Sequence, residues 1–199
     1  MRLEHSFWVW KSYFSKDFCE NVITHAGQQE LKQGEVLRDG ARQTRKSSVT
    51  WLGHRPENDW IRNPIDQCLR VTNQRFWKWA ITEAEPIQFT RYEPGDFYDW
   101  HTDQRLKPYA PDSRWPGLIR KLSMTIVLSP ESDYAGGDFM LEDPKETPDN
   151  AGRRIKTLAE ARAQGSVVVF NSALFHRVSA VTEGKRISLV TWFLGPPFV

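Results

Sequence analysis

The chain has 199 residues, enough for one domain with a substantial core, and 27 basic against 25 acidic residues leave a net charge of +2. That balance argues against a protein built to coat nucleic acid. The apolar run "SVVVF" is far too short for a bilayer span. The start, "MRLEHSFWVWKSYF", holds Glu4, Lys11 and bulky aromatics where a signal peptide needs a smooth apolar stretch, so the expectation is a cytoplasmic protein with no membrane partner.

In chain order, Phe7 to Phe14 reads as an aromatic-rich strand. Ser15 offers a helix N-cap, Asp17 sits in the first turn, and Phe18, Val22, Ile23 and Ala26 recur at helical spacing until Gly27 ends the helix. The polar stretch 31–46, with Gly34, Gly40, Arg38, Arg42 and Arg45, has no apolar period and predicts a mobile loop. Its arginines read equally as a solvated loop face or as substrate contacts. "SSVTWL" predicts a strand. Asn63-Pro64 predicts a helix start, continued by Ile65, Leu69, Thr72 and Phe76 on one face. Cys19 and Cys68 fall on these two helices and read as buried thiols of a reducing compartment.

After Ala84 short strands follow one another: 87–92, 98–103, 122–128, 138–142, 166–170, 175–181 and 186–194, separated by Gly- and Pro-bearing turns. Helices first and many strands after predict a mainly β (α+β) jelly-roll core backed by N-terminal helices. The long connections 104–121 and 143–165 stand out. The second ends in a short helical stretch, "LAEARAQ", and connections of such length in a compact domain commonly serve function. Nine tryptophans exceed what this length needs; some fill the core and others line a groove.

"FYDWHTDQ" places His101 and Asp103 two residues apart, hence on one side of a strand. With 5 histidines and 12 aspartates, chance supplies such a triplet about 0.3 times, so alone it is weak evidence. His176, in "ALFHRVSAV", lies on a late strand that a jelly roll can bring beside the first. Two histidines and a carboxylate on one face of a metal leave three positions open, which suits non-haem iron(II) oxygenases. Arg186 follows His176 by ten residues and shares its face with Ser188, Val190 and Trp192. A guanidinium there suits a carboxylate, with the Ser188 hydroxyl adding a further bond, as a 2-oxo acid cosubstrate needs.

Four ordered segments carry a resemblance to a known family: "TRKSSVTWL", "IQFTRYEPGDFYDWHTD", "LSMTIVLSPESDYAGGDFML" and "GSVVVFNSALFHRVSAVTEGKRISLVTWF". Together they resemble a 2-oxoglutarate- and iron(II)-dependent dioxygenase of the prolyl 4-hydroxylase type. The likeness implies a double-stranded β-helix (cupin-like) core with the N-terminal helices packed on its major sheet. It implies a single domain over 1–199, with a support region 1–84, a mobile loop near 31–46 and a catalytic core 85–199. By position it makes His101, Asp103 and His176 the iron ligands and Arg186 the partner of the distal 2-oxoglutarate carboxylate. Tyr92, Ser188, Thr125 and Trp192 become the cosubstrate surroundings, although Val127 stands where some relatives place a tyrosine. Tyr98, Trp100 and Arg45 are substrate-contact candidates; Trp100 alternates away from the ligands and reads equally as packing.

The implied cofactors are Fe(II), 2-oxoglutarate, dioxygen and ascorbate as reductant. The implied partner is a protein or peptide containing proline. A free amino acid or other small molecule, and a non-catalytic iron- or 2-oxoglutarate-binding sensor, are the alternatives. A nucleobase-repair enzyme fits less well, because position 192 is tryptophan where that branch resembles a second arginine. A cupin-type isomerase would have no need for Arg186.

Overall fold

The computed structural model describes residues 5–34, 36–37, 43–105 and 107–198. β1 (Phe7–Trp10) is shorter than its aromatic run, because the chain turns at Lys11 and Ser12, the latter at φ 47°. α1 (Lys16–Gly27) begins as expected: the Ser15 hydroxyl accepts from the Phe18 N–H at 3.1 Å, and Cys19, Val22 and Ala26 face inward.

The next stretch departs from the expected loop. It contains β2 (Lys32–Gln33), β3 (Val36–Leu37) and β4 (Gln43–Lys46). The buried side chain of β4 is Arg45, a charge where a hydrophobic pattern would show nothing. Arg38, Gly40 and Arg42 lie outside the described residues.

β5 (Ser48–Leu52) follows, and α2 (Asp59–Phe76) starts earlier than the Asn63-Pro64 signal. A 3₁₀ turn, Pro56–Asn58, leads into it, so Pro64 sits inside the helix at the cost of the one backbone bond its missing N–H would have donated. Its inner face is Ile61, Ile65, Cys68, Leu69 and Thr72.

The remainder is β6 (Glu83–Ala84), β7 (Ile87–Tyr92), β8 (Phe97–His101), β9 (Ile119–Val127), β10 (Tyr134–Gly136), β11 (Phe139–Glu142), β12 (Ile155–Thr157), β13 (Val167–Asn171), β14 (His176–Val178), β15 (Val181–Gly184) and β16 (Arg186–Gly195). Among the described residues the major sheet runs β1-β13-β9-β16-β7-β5-β2, with β6 on β16. The minor sheet runs β12-β11-β14-β8-β4-β3, and β10 and β15 form a separate ribbon. The strands pair antiparallel.

Period-two alternation decides the layers. In β13, Val167 and Val169 join the core under the helices, with Val22, Ile65, Leu69, Met124 and Leu189. Val168 and Phe170 point the other way, into a second core with Phe139, Leu141 and Val178 of the minor sheet. Truncating a fully buried member such as Leu122 to alanine costs about 2–5 kcal/mol. Two antiparallel sheets face to face, with α1 and α2 covering the back of the larger one, make the expected double-stranded β-helix. Among the described residues no helix is long and apolar enough to cross a membrane.

Candidate active site

The open end of the space between the sheets is where β8, β14 and β16 converge. His101 closes β8 and pairs in register with His176 at the start of β14, so both imidazoles enter one space. The ladder slips by one residue just after His176, a bulge of the kind that re-aims a side chain. Asp103 reaches the same space by a different route than strand alternation. β8 ends at His101, and Asp103 is held beyond it by its own N–H, which donates to the Ser172 carbonyl at 3.0 Å. Ser172 is anchored in turn to Lys121 O and to the Ser123 hydroxyl.

All three side chains are buried, and their nearest ligand atoms lie within 4.8 Å of one another. Each imidazole faces a carbonyl through Nδ1: His101 donates to Asp99 O at 2.7 Å and His176 to Leu174 O at 2.9 Å. With Nδ1 carrying the proton, Nε2 presents a lone pair. Those two lone pairs meet the Asp103 carboxylate, at 3.7 Å from His101 and 3.4 Å from His176.

Burial and the neighbouring His176 hold His101 well below the usual histidine range, so it is neutral near pH 7. Burial acts to raise the Asp103 carboxyl, but its surroundings, with the Arg120 charge and the Ser123 hydroxyl among them, outweigh it and hold the carboxyl below its usual range. Three acceptors therefore converge without a hydrogen to share, and Asp103 Oδ2 is buried with no partner. Such a set fits a divalent cation, in the protonation states that ligation requires. The rings are fixed from outside: Tyr98 stacks on His101 at 3.5 Å and Phe170 meets His176 edge-on at 4.6 Å.

These residues border a cavity of about 270 Å³ that also takes in Tyr92, Thr125, Arg186, Ser188 and Trp192. β16 pairs Arg186 with Tyr92 and Ser188 with Thr90, so the guanidinium stands over the Tyr92 ring at 5.6 Å and donates to the Ser188 hydroxyl at 3.1 Å. Arg186 is 2% exposed and forms no ion pair among the described residues. A carboxylate-ended ligand can therefore span from the three acceptors to this cation.

Most residues singled out from the sequence come together here: His101, Asp103, His176, Arg186, Tyr92, Ser188, Thr125, Trp192, Tyr98 and Arg45. Two do not. Val127 is buried elsewhere, and Trp100 points away from the cavity, between the guanidinium groups of Arg153 at 5.5 Å and Arg177 at 5.2 Å.

Sequence reasoning missed Arg120. It lies 4.0 Å over the Trp192 ring and grips Glu85 through two bonds of 2.6 Å, while the Tyr109 hydroxyl donates to the same carboxylate at 2.6 Å. Residue 120 falls in the expected connection 104–121, and only the earlier start of β9 at Ile119 brings it to the site. Trp51, 47% exposed, stands at the mouth 6.0 Å from Trp192.

The sequence profile of the 2OG-Fe(II) oxygenase superfamily matches residues 87–194, more than half of the chain. The chain belongs to that superfamily. A PKHD-type hydroxylase of Idiomarina loihiensis is 32% identical over 106 residues, covering 53% of this chain and 40% of its own. One from Psychrobacter is 35% identical over 129 residues, covering 63% and 45%. The matched region thus spans less than half the length of these curated relatives.

Among solved structures, a Pseudomonas putida prolyl-4-hydroxylase superposes with a TM-score of 0.68 at 20% identity, covering 96% of this chain and 92% of that one. A viral collagen prolyl hydroxylase from Paramecium Bursaria Chlorella virus-1, in complex with 2OG, gives 0.69 at 18%, covering 96% and 97%. A Trichoplax adhaerens prolyl hydroxylase, bound to a peptide fragment of hypoxia inducible factor, gives 0.68 at 16%, covering 96% and 84%. These likenesses establish the fold.

Proposed function

We propose that the protein is an iron(II)- and 2-oxoglutarate-dependent hydroxylase of peptidyl proline, and that 1–199 forms one catalytic domain with 1–84 as its support. The observation that carries the reading is the convergence of three buried acceptors with a buried Arg186, without an ion-pair partner among the described residues, in the wall of the same cavity. His101, Asp103 and His176 would hold the metal. When bound, iron(II) with 2-oxoglutarate and dioxygen supplies oxidative decarboxylation to succinate and carbon dioxide, with one oxygen atom passing into a substrate C–H bond. Ascorbate serves as reductant.

The chain's own residues do the positioning. Arg186 and Ser188 grip the distal carboxylate of the cosubstrate and fix its reach towards the ligands. Tyr92, kept protonated because burial raises its hydroxyl, lends an O–H to the same region. Phe139, Phe170 and Val178 wall the cavity with apolar surface and exclude water from the reacting atoms. Trp192 and Trp51 form an aromatic mouth suited to a proline ring. The peptide class is supported by the structural neighbours, all three prolyl hydroxylases by name and one of them holding a peptide.

The test is incubation with iron, ascorbate, 2-oxoglutarate and a panel of proline-containing peptides. Peptide-dependent succinate release with a mass gain of one oxygen is the expected result. Succinate release without peptide oxidation would instead favour a small-molecule substrate.

A further inference from the structure

We propose that Arg45 is a second carboxylate receptor in the pocket, so that the substrate presents a free carboxylate close to the carbon that is oxidised. The inference rests on the hydroxylase reading above and narrows its substrate class. Arg45 is only 8% exposed, borders the cavity, and has a buried Nη2 with no hydrogen-bond partner. Its Nε donates to the Ser47 hydroxyl at 2.9 Å, and its guanidinium lies 4.7 Å over the Tyr98 ring, whose other neighbour is His101. One aromatic ring therefore separates this cation from a candidate metal ligand.

The side chain is held there. A Cβ built on Gly34 would stand 3.4 Å from the Arg45 guanidinium carbon and 2.9 Å from Ser47 Oγ, so the glycine lets the backbone close over the pair. The cation–π contact with Tyr98 holds the guanidinium over the ring but leaves Nη2 unsatisfied. An unpartnered donor on a buried charge is unfavourable unless a ligand meets it.

Charge balance says what that ligand is. Nearby cations are neutralised from within the chain: Arg120 by Glu85 at 2.6 Å and Lys46 by Asp96 at 3.0 Å. Arg45 and Arg186 have no ion-pair partner among the described residues, and Asp103 supplies the opposing negative charge. A divalent cation and a dianionic cosubstrate cancel each other. Among the described residues one positive charge then remains, which a substrate carboxylate balances, and the unpartnered Nη2 is a donor that such a group accepts.

The experiment is calorimetric titration of the full chain, loaded with manganese(II) and 2-oxoglutarate. The probes are N-acetylated amino acids and dipeptides, each as the acid and as the matching amide, with proline-containing members included. The expected result is that at least one acid binds about tenfold to a hundredfold more tightly than its amide. Arg45→Gln should bring that ratio to near one while leaving amide and 2-oxoglutarate binding unchanged. Arg45→Lys, which keeps the charge and loses the fork, should give an intermediate ratio.

Equal binding of acids and amides across the panel overturns the proposal. So does a ratio that survives Arg45→Gln, or a loss of 2-oxoglutarate affinity in its place, which would assign Arg45 to the cosubstrate. An Arg45-dependent preference confined to compounds without proline would keep this assignment and sink the peptidyl-proline reading. Proline amides that bind as well as the acids, and that are oxidised as fast in the iron(II) succinate-release assay, would do the reverse.

Discussion

A single methyl group at Gly137 tests whether Arg186 holds the cosubstrate. Gly137 adopts φ +64°, and a Cβ there would stand 2.8 Å from Arg186 Cδ and 3.0 Å from Val181 Cγ2. Gly137→Ala thus combines left-handed backbone strain, about 1–2 kcal/mol, with a contact that pushes the Arg186 side chain off its position. Gly152 supplies the control: its φ is +77°, and an added Cβ would meet nothing within 4 Å. Gly152→Ala should lose about 1–2 kcal/mol, or roughly 2–8 °C in melting temperature, with 2-oxoglutarate binding unchanged. Gly137→Ala should lose at least as much stability and weaken 2-oxoglutarate about tenfold, because the charge-assisted bonds of Arg186 depend on alignment. Thermal unfolding and calorimetric titration with 2-oxoglutarate measure both quantities on the same samples. Equal 2-oxoglutarate affinity in the two variants would refute the reasoning and place the clamp elsewhere.

Two further outcomes are expected. Glu85 is 6% exposed and carries bonds from both Arg120 and Tyr109, so Glu85→Gln should cost about 3–5 kcal/mol by leaving a buried guanidinium underpaired. Replacing both partners, Arg120→Met with Glu85→Leu, should recover at least half of that loss in thermal melts; a purely additive loss would contradict the pairing. Burial pushes the Cys19 and Cys68 thiols up to about 11, so at pH 8 both stay protonated. Ellman's reagent should modify them at least about a hundredfold faster in guanidinium-unfolded protein, and rapid native labelling would be inconsistent with that environment.

What was legible in the sequence followed from periodicity and spacing. β7 matches its expected bounds because every second residue along it meets a core and the flanking Pro and Gly punctuate it. His101, His176 and Arg186 come together because rigid, paired strands convert fixed spacing into geometry. Legibility failed where a different force decided the local structure. Asp103 reaches the site through a loop bond to Ser172, so its agreement with strand alternation was right in outcome and wrong in cause. β4 was hidden because its buried member is an arginine, stabilised by Tyr98 and Ser47 rather than by apolar contact. Pro64 misled because a cap signal inside a long amphipathic helix is overridden by burial of Ile61 at its start. Trp100, ambiguous from the sequence, takes its place from two arginines on elements that no local pattern relates to it. Arg120 and Glu85 are likewise a long-range pair, and only the fold makes them neighbours.

The central claim is that His101, Asp103 and His176 hold iron(II) and that Arg186 completes the cosubstrate site. Anaerobic calorimetric titration with iron(II), followed by 2-oxoglutarate, tests it on the wild-type chain, His176→Ala and Arg186→Met. The account predicts tight uptake of iron by the wild type and by Arg186→Met, its loss in His176→Ala, and 2-oxoglutarate binding that Arg186→Met weakens about tenfold or more. Wild-type iron affinity in His176→Ala would contradict it.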